Sequence, residues 1–323
     1  MGENMKFIDN NSYREIVNKL AKENQYMKLD EEKRDIIEKN FIELVRNVSQ
    51  QIEHGIENKI KKYKGVNIII DDSQDVIKID TSLLKQSDEY RATISISKLL
   101  IIANYEIFHA IKYEKMPNMI GGSEFFGEMG FNLSMRCMIM HELAHIYKGH
   151  LKLYDKWKEE GTLKEHLLDI QTLEWDADSF AATELAELLG AMKYKFSNFN
   201  YNYMKIFVGA IHGMIFWQRL KKDFESIKSN KHLPMFYREA AILACITDLQ
   251  GERENVNEYV LEFENNFSAV FGCMTEERNK YFMSAIEEAN RGVFDEVIKN
   301  WDKLKEELRM YSIFPLDELP ARY

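Results

Sequence analysis

The chain of 323 residues has few of the residues that interrupt helices or cross-link a fold. It contains four prolines, and Pro117 is the only one among the first 233 residues. Because proline breaks helices and Leu, Ile, Lys and Glu are abundant, this composition predicts a mainly α-helical protein. The three cysteines, Cys137, Cys245 and Cys273, show no C-x-x-C spacing. Their small number argues against a disulfide framework and favours a reducing compartment.

Long apolar runs are also missing from the sequence. The longest, Met204 to Trp217, contains Lys205 and His212 and is too short to span a bilayer. The first residues, Met1 to Lys6, are followed by no apolar segment, so they do not have the pattern of a secretory signal. We therefore expect a cytoplasmic protein without a membrane span.

Positive charge is in deficit, since 43 Lys and Arg face 53 Asp and Glu and give a formal net charge of −10. An acidic surface argues against nucleic acid or an anionic membrane as the main partner. Hydrophobic residues make up 45% of the chain, which is enough for a sizeable core. No internal repeat or linker divides it. We expect one domain over 1–323, with N-terminal helices over 1–65, a central core over 66–250 and C-terminal helices over 251–323.

Hydrophobic spacing predicts the main secondary-structure elements. Apolar residues at three- and four-residue intervals predict helices over 12–23, 30–63, 89–113 and 201–228. Two short β-rich runs, 66–71 and 76–80, flank a turn and predict a small hairpin or sheet. This hairpin either covers the core or pairs its edge with an extended peptide. The glycines between 116 and 130 predict a mobile connection.

One uncharged run carries the pattern H-E-x-x-H at His141, Glu142 and His145. It lies on a predicted helix from Ser134 to the region of Trp157, and residues four apart share one face of a helix. Both imidazoles can therefore bind one ion, and zinc accepts imidazole nitrogen readily. Glu142 is then placed to take a proton from water. The alternative is a chance match in which the histidines are packing residues.

A catalytic zinc site needs a third protein ligand. His150 is near in sequence, but it lies five residues after His145, which is about 140° round a continuous helix. A helix that ended at Gly149 would bring His150 back. The spacing also differs from H-E-x-x-H-x-x-G-x-x-H, the arrangement in which a third histidine binds the metal. We therefore expect His150 to face away from the site.

Glu174 is the better candidate for the third ligand. Glu174 and Asp178 are four residues apart on the next predicted helix and share a face. Glu174 can bind the metal, while Asp178 accepts a hydrogen bond from His141 and fixes the tautomer of that ring. We predict Zn²⁺ bound by His141, His145 and Glu174. The alternative is an acidic helix face exposed to solvent.

The motifs together resemble a known family. H-E-L-A-H at His141, followed by E-W-D-A-D at Glu174, resembles the gluzincin metallopeptidases. The E-x-x-A-D-x-x-A form is similar to the prenyl-protein endopeptidases and to the soluble phage-exclusion peptidases of the Lit type. The segment from His232 to Arg238 has the family's spacing of histidine and arginine, although Leu233 stands where a proline is usual. The resemblance covers residues 130–245.

This resemblance implies a zincin-like metallopeptidase core flanked by extra helices. It implies a cytoplasmic zinc endopeptidase with a specific protein substrate, a host translation factor cleaved during phage exclusion once a phage-derived or other activator is present. His232 is then the candidate donor to the oxyanion, with Tyr237 and Arg238 as further candidates. Arg238 serves either there or as the partner of a site carboxylate. The alternative for His232 is a residue at the start of a helix, ahead of Pro234. Two other hypotheses stay open: a non-catalytic zinc-binding regulatory protein, and a metallopeptidase that cleaves a repressor.

Overall fold

The computed structural model describes residues 63–71, 79–86, 89–97, 123–195 and 295–312, and single residues at 32, 35, 39, 42, 43, 46, 100, 101, 104, 105, 108, 109, 238, 242, 245 and 316. The strands are β1 Tyr63–Asp71, β2 Ile79–Gln86 and β3 Glu89–Ser97. The helices are α1 Ser123–Tyr147, α2 His150–Glu159, α3 Leu167–Lys195 and α4 Asp295–Leu308, with a 3₁₀-helix at Leu163–His166. This part of the chain is mostly helical with one small sheet, as the composition predicts.

The sheet has three strands in the order β1-β3-β2. β3 runs parallel to β1, with Ile70 opposite Ile96, and antiparallel to β2, with Thr81 opposite Ile94. Ala92, Ile94 and Ile96 of β3 are fully buried. β3 is therefore the apolar centre of the sheet, and β2 has no other partner strand among the described residues.

The predicted hairpin between 66–71 and 76–80 is wrong in its pairing. Both runs contribute to strands, but β1 and β2 each pair with β3, so the hairpin is formed by β2 and β3. The predicted helix over 89–113 is wrong for 89–97, which form β3. Apolar residues there alternate with Thr93 and Ser95, which is the two-residue period of a strand.

α1 begins at Ser123, so the predicted connection over 116–130 is wrong for its second half. Gly127 and Gly130 both lie inside the helix. A Cβ at Gly130 would collide with the ring of Phe108, which belongs to a preceding helical segment. These glycines therefore mark a close contact between two helices, although glycine is more often a sign of a turn.

The predicted continuous helix from Ser134 to Trp157 is also wrong, because Lys148 and Gly149 separate α1 from α2. Gly149 has a φ of 80°, in the left-handed region that favours glycine. Its backbone packs against Tyr311, just after α4. The chain therefore turns at the end of α1, and α2 leaves in a new direction.

α3 lies between two apolar layers. On one side it packs against α1, and Ala177 and Ala182 are fully buried there, which allows the close approach of two helices. On the other side α2, α3 and α4 enclose a cluster of Leu153, Trp157, Ile170, Leu173, Trp175, Val297, Trp301, Leu304, Leu308 and Leu316. The two layers fix the polar residues of α3 against the H-E-x-x-H turn of α1.

Several predicted segments lie outside the described residues, including the helices over 12–23 and 201–228. Of the predicted helix over 30–63, six residues between 32 and 46 are described; they are helical and exposed. Of the predicted C-terminal helices, α4 is described. None of the described helices is long and apolar enough to cross a membrane. The division of the chain into domains stays a prediction.

Candidate metal centre

α1 and α3 bring together His141, His145 and Glu174. His141 Nε2 lies 3.1 Å from His145 Nε2. Glu174 Oε2 lies 3.4 Å from His141 Nε2, and Glu174 Oε1 lies 3.6 Å from His145 Nε2. One ligand atom from each residue lies within 4.8 Å of the others. Within the described residues this is the group of side chains that can hold a metal ion.

The size and chemistry of this group fit zinc. Two nitrogens that are each ~2.05 Å from a tetrahedral zinc lie about 3.3 Å apart, close to the separation of the two imidazoles. Two histidines and a glutamate are also the ligands of known catalytic zinc sites. Three protein ligands leave the fourth position of a tetrahedral ion for water or substrate.

A buried carboxylate contacts Nδ1 of His141, the ring nitrogen that faces away from Glu174. Asp178 Oδ1 lies 2.8 Å from His141 Nδ1. Arg238 donates to both oxygens of Asp178: Nε lies 2.6 Å from Oδ2, and Nη2 lies 2.8 Å from Oδ1. Burial lowers the pKa of His141, but the hydrogen bond to Asp178 and the nearby carboxylates outweigh it and raise that pKa to about 10. The surroundings of this ring therefore stabilise a positive charge.

His150 contacts Nδ1 of His145, the ring nitrogen that faces away from Glu174. The Nδ1 atoms of the two rings lie 3.1 Å apart, and His150 Nε2 lies 3.2 Å from Asp176 Oδ2. Lys148 donates to Asp176 at 2.8 Å. Burial lowers the pKa of His145 and of His150, which favours neutral rings. The prediction that His150 faces away is wrong, because the turn at Gly149 brings the ring back against His145.

Asp176 is fully buried, so this position of α3 is not part of an acidic face exposed to solvent. It lies two residues from Glu174, so on a helix it points to a different side. There it meets Lys148, whose Nζ also lies 5.5 Å from the centroid of the Phe180 ring and 5.6 Å from that of Trp301. No local sequence pattern reveals this pair, because its burial depends on α4.

Glu142 projects from α1 towards β2. The hydroxyl of Thr81 donates a hydrogen bond to Glu142 Oε2. Burial raises the pKa of Glu142 to about 7, while the charge of His141 and the bond from Thr81 act in the opposite direction. A carboxyl group that titrates near neutral pH suits a general base. Sequence reasoning misses Thr81, because it lies 61 residues from its partner and no motif marks it.

Arg238 lies where the second of its two predicted roles puts it, as the partner of a site carboxylate. Its guanidinium is buried behind His141, bound to Asp178, with one nitrogen 3.5 Å from Glu174 Oε2. Nε and Nη2 of Arg238 contact site carboxylates, an arrangement that positions Asp178, and its predicted catalytic role stays a prediction. The predicted oxyanion donor His232 and its alternative Tyr237 lie outside the described residues.

Comparison of the chain with protein-family models, with curated proteins and with solved structures finds no match. The gluzincin resemblance therefore remains a prediction that rests on the motifs of α1 and α3 and on the arrangement of their side chains.

Proposed function

We propose that this chain is a zinc-dependent endopeptidase of the gluzincin type. The convergence of His141 Nε2, His145 Nε2 and the Glu174 carboxylate, with Glu142 on the same turn of α1, carries this proposal. The outer contacts of the two histidines support it as well. Histidines that bind metal donate their other ring nitrogen to a fixed partner, and here each ring has one.

The side chains around the group have distinct tasks in this proposal. Zinc bound there supplies a Lewis acid that polarises the scissile carbonyl and makes water more acidic. Glu142 accepts a proton from the attacking water and passes it to the leaving amine. In the metal-free protein burial raises the pKa of Glu142 to about 7, and a nearby zinc ion would lower that pKa and favour the carboxylate that accepts the proton. Asp178 and Arg238 hold the ring of His141 in place.

The position of β2 supports an extended peptide as the substrate. Thr81 ties this strand to Glu142, and the edge of β2 opposite β3 has no partner strand in the described part of the chain. A peptide that adds to a sheet edge receives main-chain hydrogen bonds along its length. A peptide on this edge would have its backbone held close to the general base.

The identity of the substrate is a further part of the proposal. The resemblance to Lit-type peptidases points to a specific cytoplasmic protein, a host translation factor cleaved during phage exclusion in the presence of a phage-derived activator. This part rests on the motifs over 130–245 and not on a described contact. An activator is also reasonable on cellular grounds, since an unrestrained endopeptidase would damage the cell that makes it.

The test compares the wild type with Glu142→Gln in cells with and without phage challenge, by proteomics of new protein termini. Glutamine keeps the shape of the side chain but cannot take up the proton. We expect new termini only with the wild type, and zinc in both proteins. A non-catalytic zinc protein would give the same cellular effect with both variants. A repressor-cleaving peptidase would give its new terminus in a repressor.

A further inference from the structure

Three buried polar side chains form a row that begins at His145, one of the predicted zinc ligands. It runs from His145 through His150 and Asp176 to Lys148, with separations of 3.1 Å, 3.2 Å and 2.8 Å. His150, Asp176 and Lys148 are each no more than 1% exposed. These side chains are buried, so their polar atoms face one another and not bulk solvent. His150 Nε2 and Asp176 Oδ2 lie within ion-pair distance at 3.2 Å, with angles outside those of a hydrogen bond. None of the three belongs to the predicted ligand set.

The contacts indicate where each proton in this row lies. The Lys148 ammonium has only donors, so Asp176 accepts from it as a carboxylate. His150 Nε2 faces the same carboxylate and therefore carries a hydrogen. The neutral ring then has its lone pair on Nδ1, which accepts the Nδ1 hydrogen of His145. The lone pair of His145 is thereby placed on Nε2, the atom that faces His141 and Glu174.

The opposite tautomer of His150 does not fit. It would turn the lone pair of Nε2 towards the Asp176 carboxylate at 3.2 Å, a repulsive contact in a buried site. Its Nδ1–H would also donate to His145 Nδ1 at 3.1 Å and leave the hydrogen of His145 on Nε2, the atom that faces the predicted metal position. Asp176 and Lys148 therefore select the tautomer of His150, and His150 selects that of His145.

We propose that Asp176 and His150 are positioning residues that present Nε2 of His145 to the metal ion. This inference rests on the proposed zinc function. It gives the two histidine ligands different support. His141 donates directly to a carboxylate, whereas His145 donates to a neutral imidazole that is itself held by a carboxylate. The second arrangement depends on the turn at Gly149, which brings His150 back towards the helix it follows.

The first test observes the tautomer itself. Long-range ¹H–¹⁵N correlation spectra of protein labelled on histidine distinguish a ring with Nε2–H from a ring with Nδ1–H, and the spectrum of His150→Asn assigns the signals of His150. We expect the Nε2–H form for His150 with and without zinc. An Nδ1–H form or a doubly protonated ring at His150 would overturn the proposal. Because this result does not require zinc, it is independent of the proposed function.

The second test measures the zinc dissociation constant by competition with a chromophoric chelator. His150→Leu removes the acceptor, and we expect zinc to bind about 10- to 100-fold more weakly. His150→Asn places an amide oxygen near the position of Nδ1 and should restore most of the affinity. His166→Leu is the matched control, since His166 also contacts a carboxylate, Asp169, and stacks on Trp157. This control should bind zinc as the wild type does.

The role of Asp176 needs a variant that still folds. Asp176→Asn alone leaves the Lys148 charge buried without its carboxylate, so the double variant Asp176→Asn with Lys148→Met removes both charges together. We expect it to unfold cooperatively and to bind zinc about 10-fold more weakly than the wild type. If the wild type binds zinc and His150→Leu binds it equally well, this inference alone fails. If the wild type binds no zinc, the proposed function fails and the metal-positioning role fails with it, while the Nε2–H form of His150 would still show that Asp176 selects this tautomer.

Discussion

Gly149 packs against the backbone of Tyr311 and leaves no room for a side chain. A Cβ at Gly149 would lie 2.6 Å from the carbonyl carbon of Tyr311 and 2.8 Å from the nitrogen of Ser312. Ser312 also donates a hydrogen bond to the carbonyl oxygen of Tyr147. The turn that follows α4 therefore holds the break between α1 and α2, and this break is what directs His150 towards His145.

Replacement of Gly149 by alanine should destabilise the protein more than the same replacement of Gly161. Gly149→Ala combines a left-handed φ with a steric collision, which together cost about 2–5 kcal/mol. Gly161→Ala is the matched control, because Gly161 has a φ of 73° but nothing within 4 Å of its Cβ position. It should cost about 1–2 kcal/mol. Urea unfolding measures both, and equal losses would show that the contact with Tyr311 is unimportant.

The buried pair of Arg238 and Asp178 should matter far more to stability than an exposed pair. Arg238→Met leaves the Asp178 carboxylate buried without its main partner, and we expect a loss of about 3–5 kcal/mol in the free energy of unfolding. Arg309→Met is the control, since Arg309 and Glu306 lie 3.0 Å apart on the surface. That change should cost less than about 1 kcal/mol. A similar effect of both substitutions would contradict the structural role of Arg238.

The hydroxyl of Thr81 should affect hydrolysis without affecting zinc. Thr81→Val keeps the shape of the side chain but removes the hydrogen bond to Glu142. A bond to a charged group contributes about 1.5 kcal/mol, which corresponds to roughly a tenfold slower appearance of new termini. Thr81→Ser keeps the hydroxyl and should behave as the wild type. A valine variant that cleaves at the wild-type rate would show that Thr81 does not assist the general base.

The metal-free protein should lose stability in acid. Burial opposes ionisation of Asp176 and Asp178, but Lys148 beside the first and Arg238 beside the second lower both pKa values below 3.8. Because the folded pKa lies below the unfolded value, the stabilisation is complete above about pH 4 and is lost as the pH falls further. Urea unfolding of chelator-treated protein between about pH 3 and 6, on both sides of the unfolded pKa, measures how the free energy of unfolding depends on pH. A double variant, Asp176→Asn with Lys148→Met, should show a shallower pH dependence, and an unchanged slope would contradict it.

Features that depend on one helix were predictable from the sequence. His141 and His145 share a face of α1, and Glu174 and Asp178 share a face of α3, because residues four apart on a helix always do. The spacing alone therefore indicated which side chains could meet. The mostly helical composition was predictable in the same way, from the scarcity of prolines.

Features that depend on distant parts of the chain were not predictable. The direction of His150 follows from the φ of Gly149, and that conformation is packed against Tyr311 beyond α4. The burial of Asp176 depends on Lys148 and on the covering ring of Trp301. The sequence does not predict strand β3, because its isoleucines also fit the helical spacing of the residues that follow. In each case a tertiary contact decides between two locally acceptable conformations.

The zinc content of protein purified without chelator tests the proposed site most directly. Elemental analysis should find about one zinc per chain in the wild type and in Glu142→Gln, since three protein ligands remain in both. His145→Ala and Glu174→Ala should lose most of the metal while keeping their helical circular dichroism. A wild type without zinc, or full zinc content in His145→Ala, would contradict a metal centre formed by His141, His145 and Glu174.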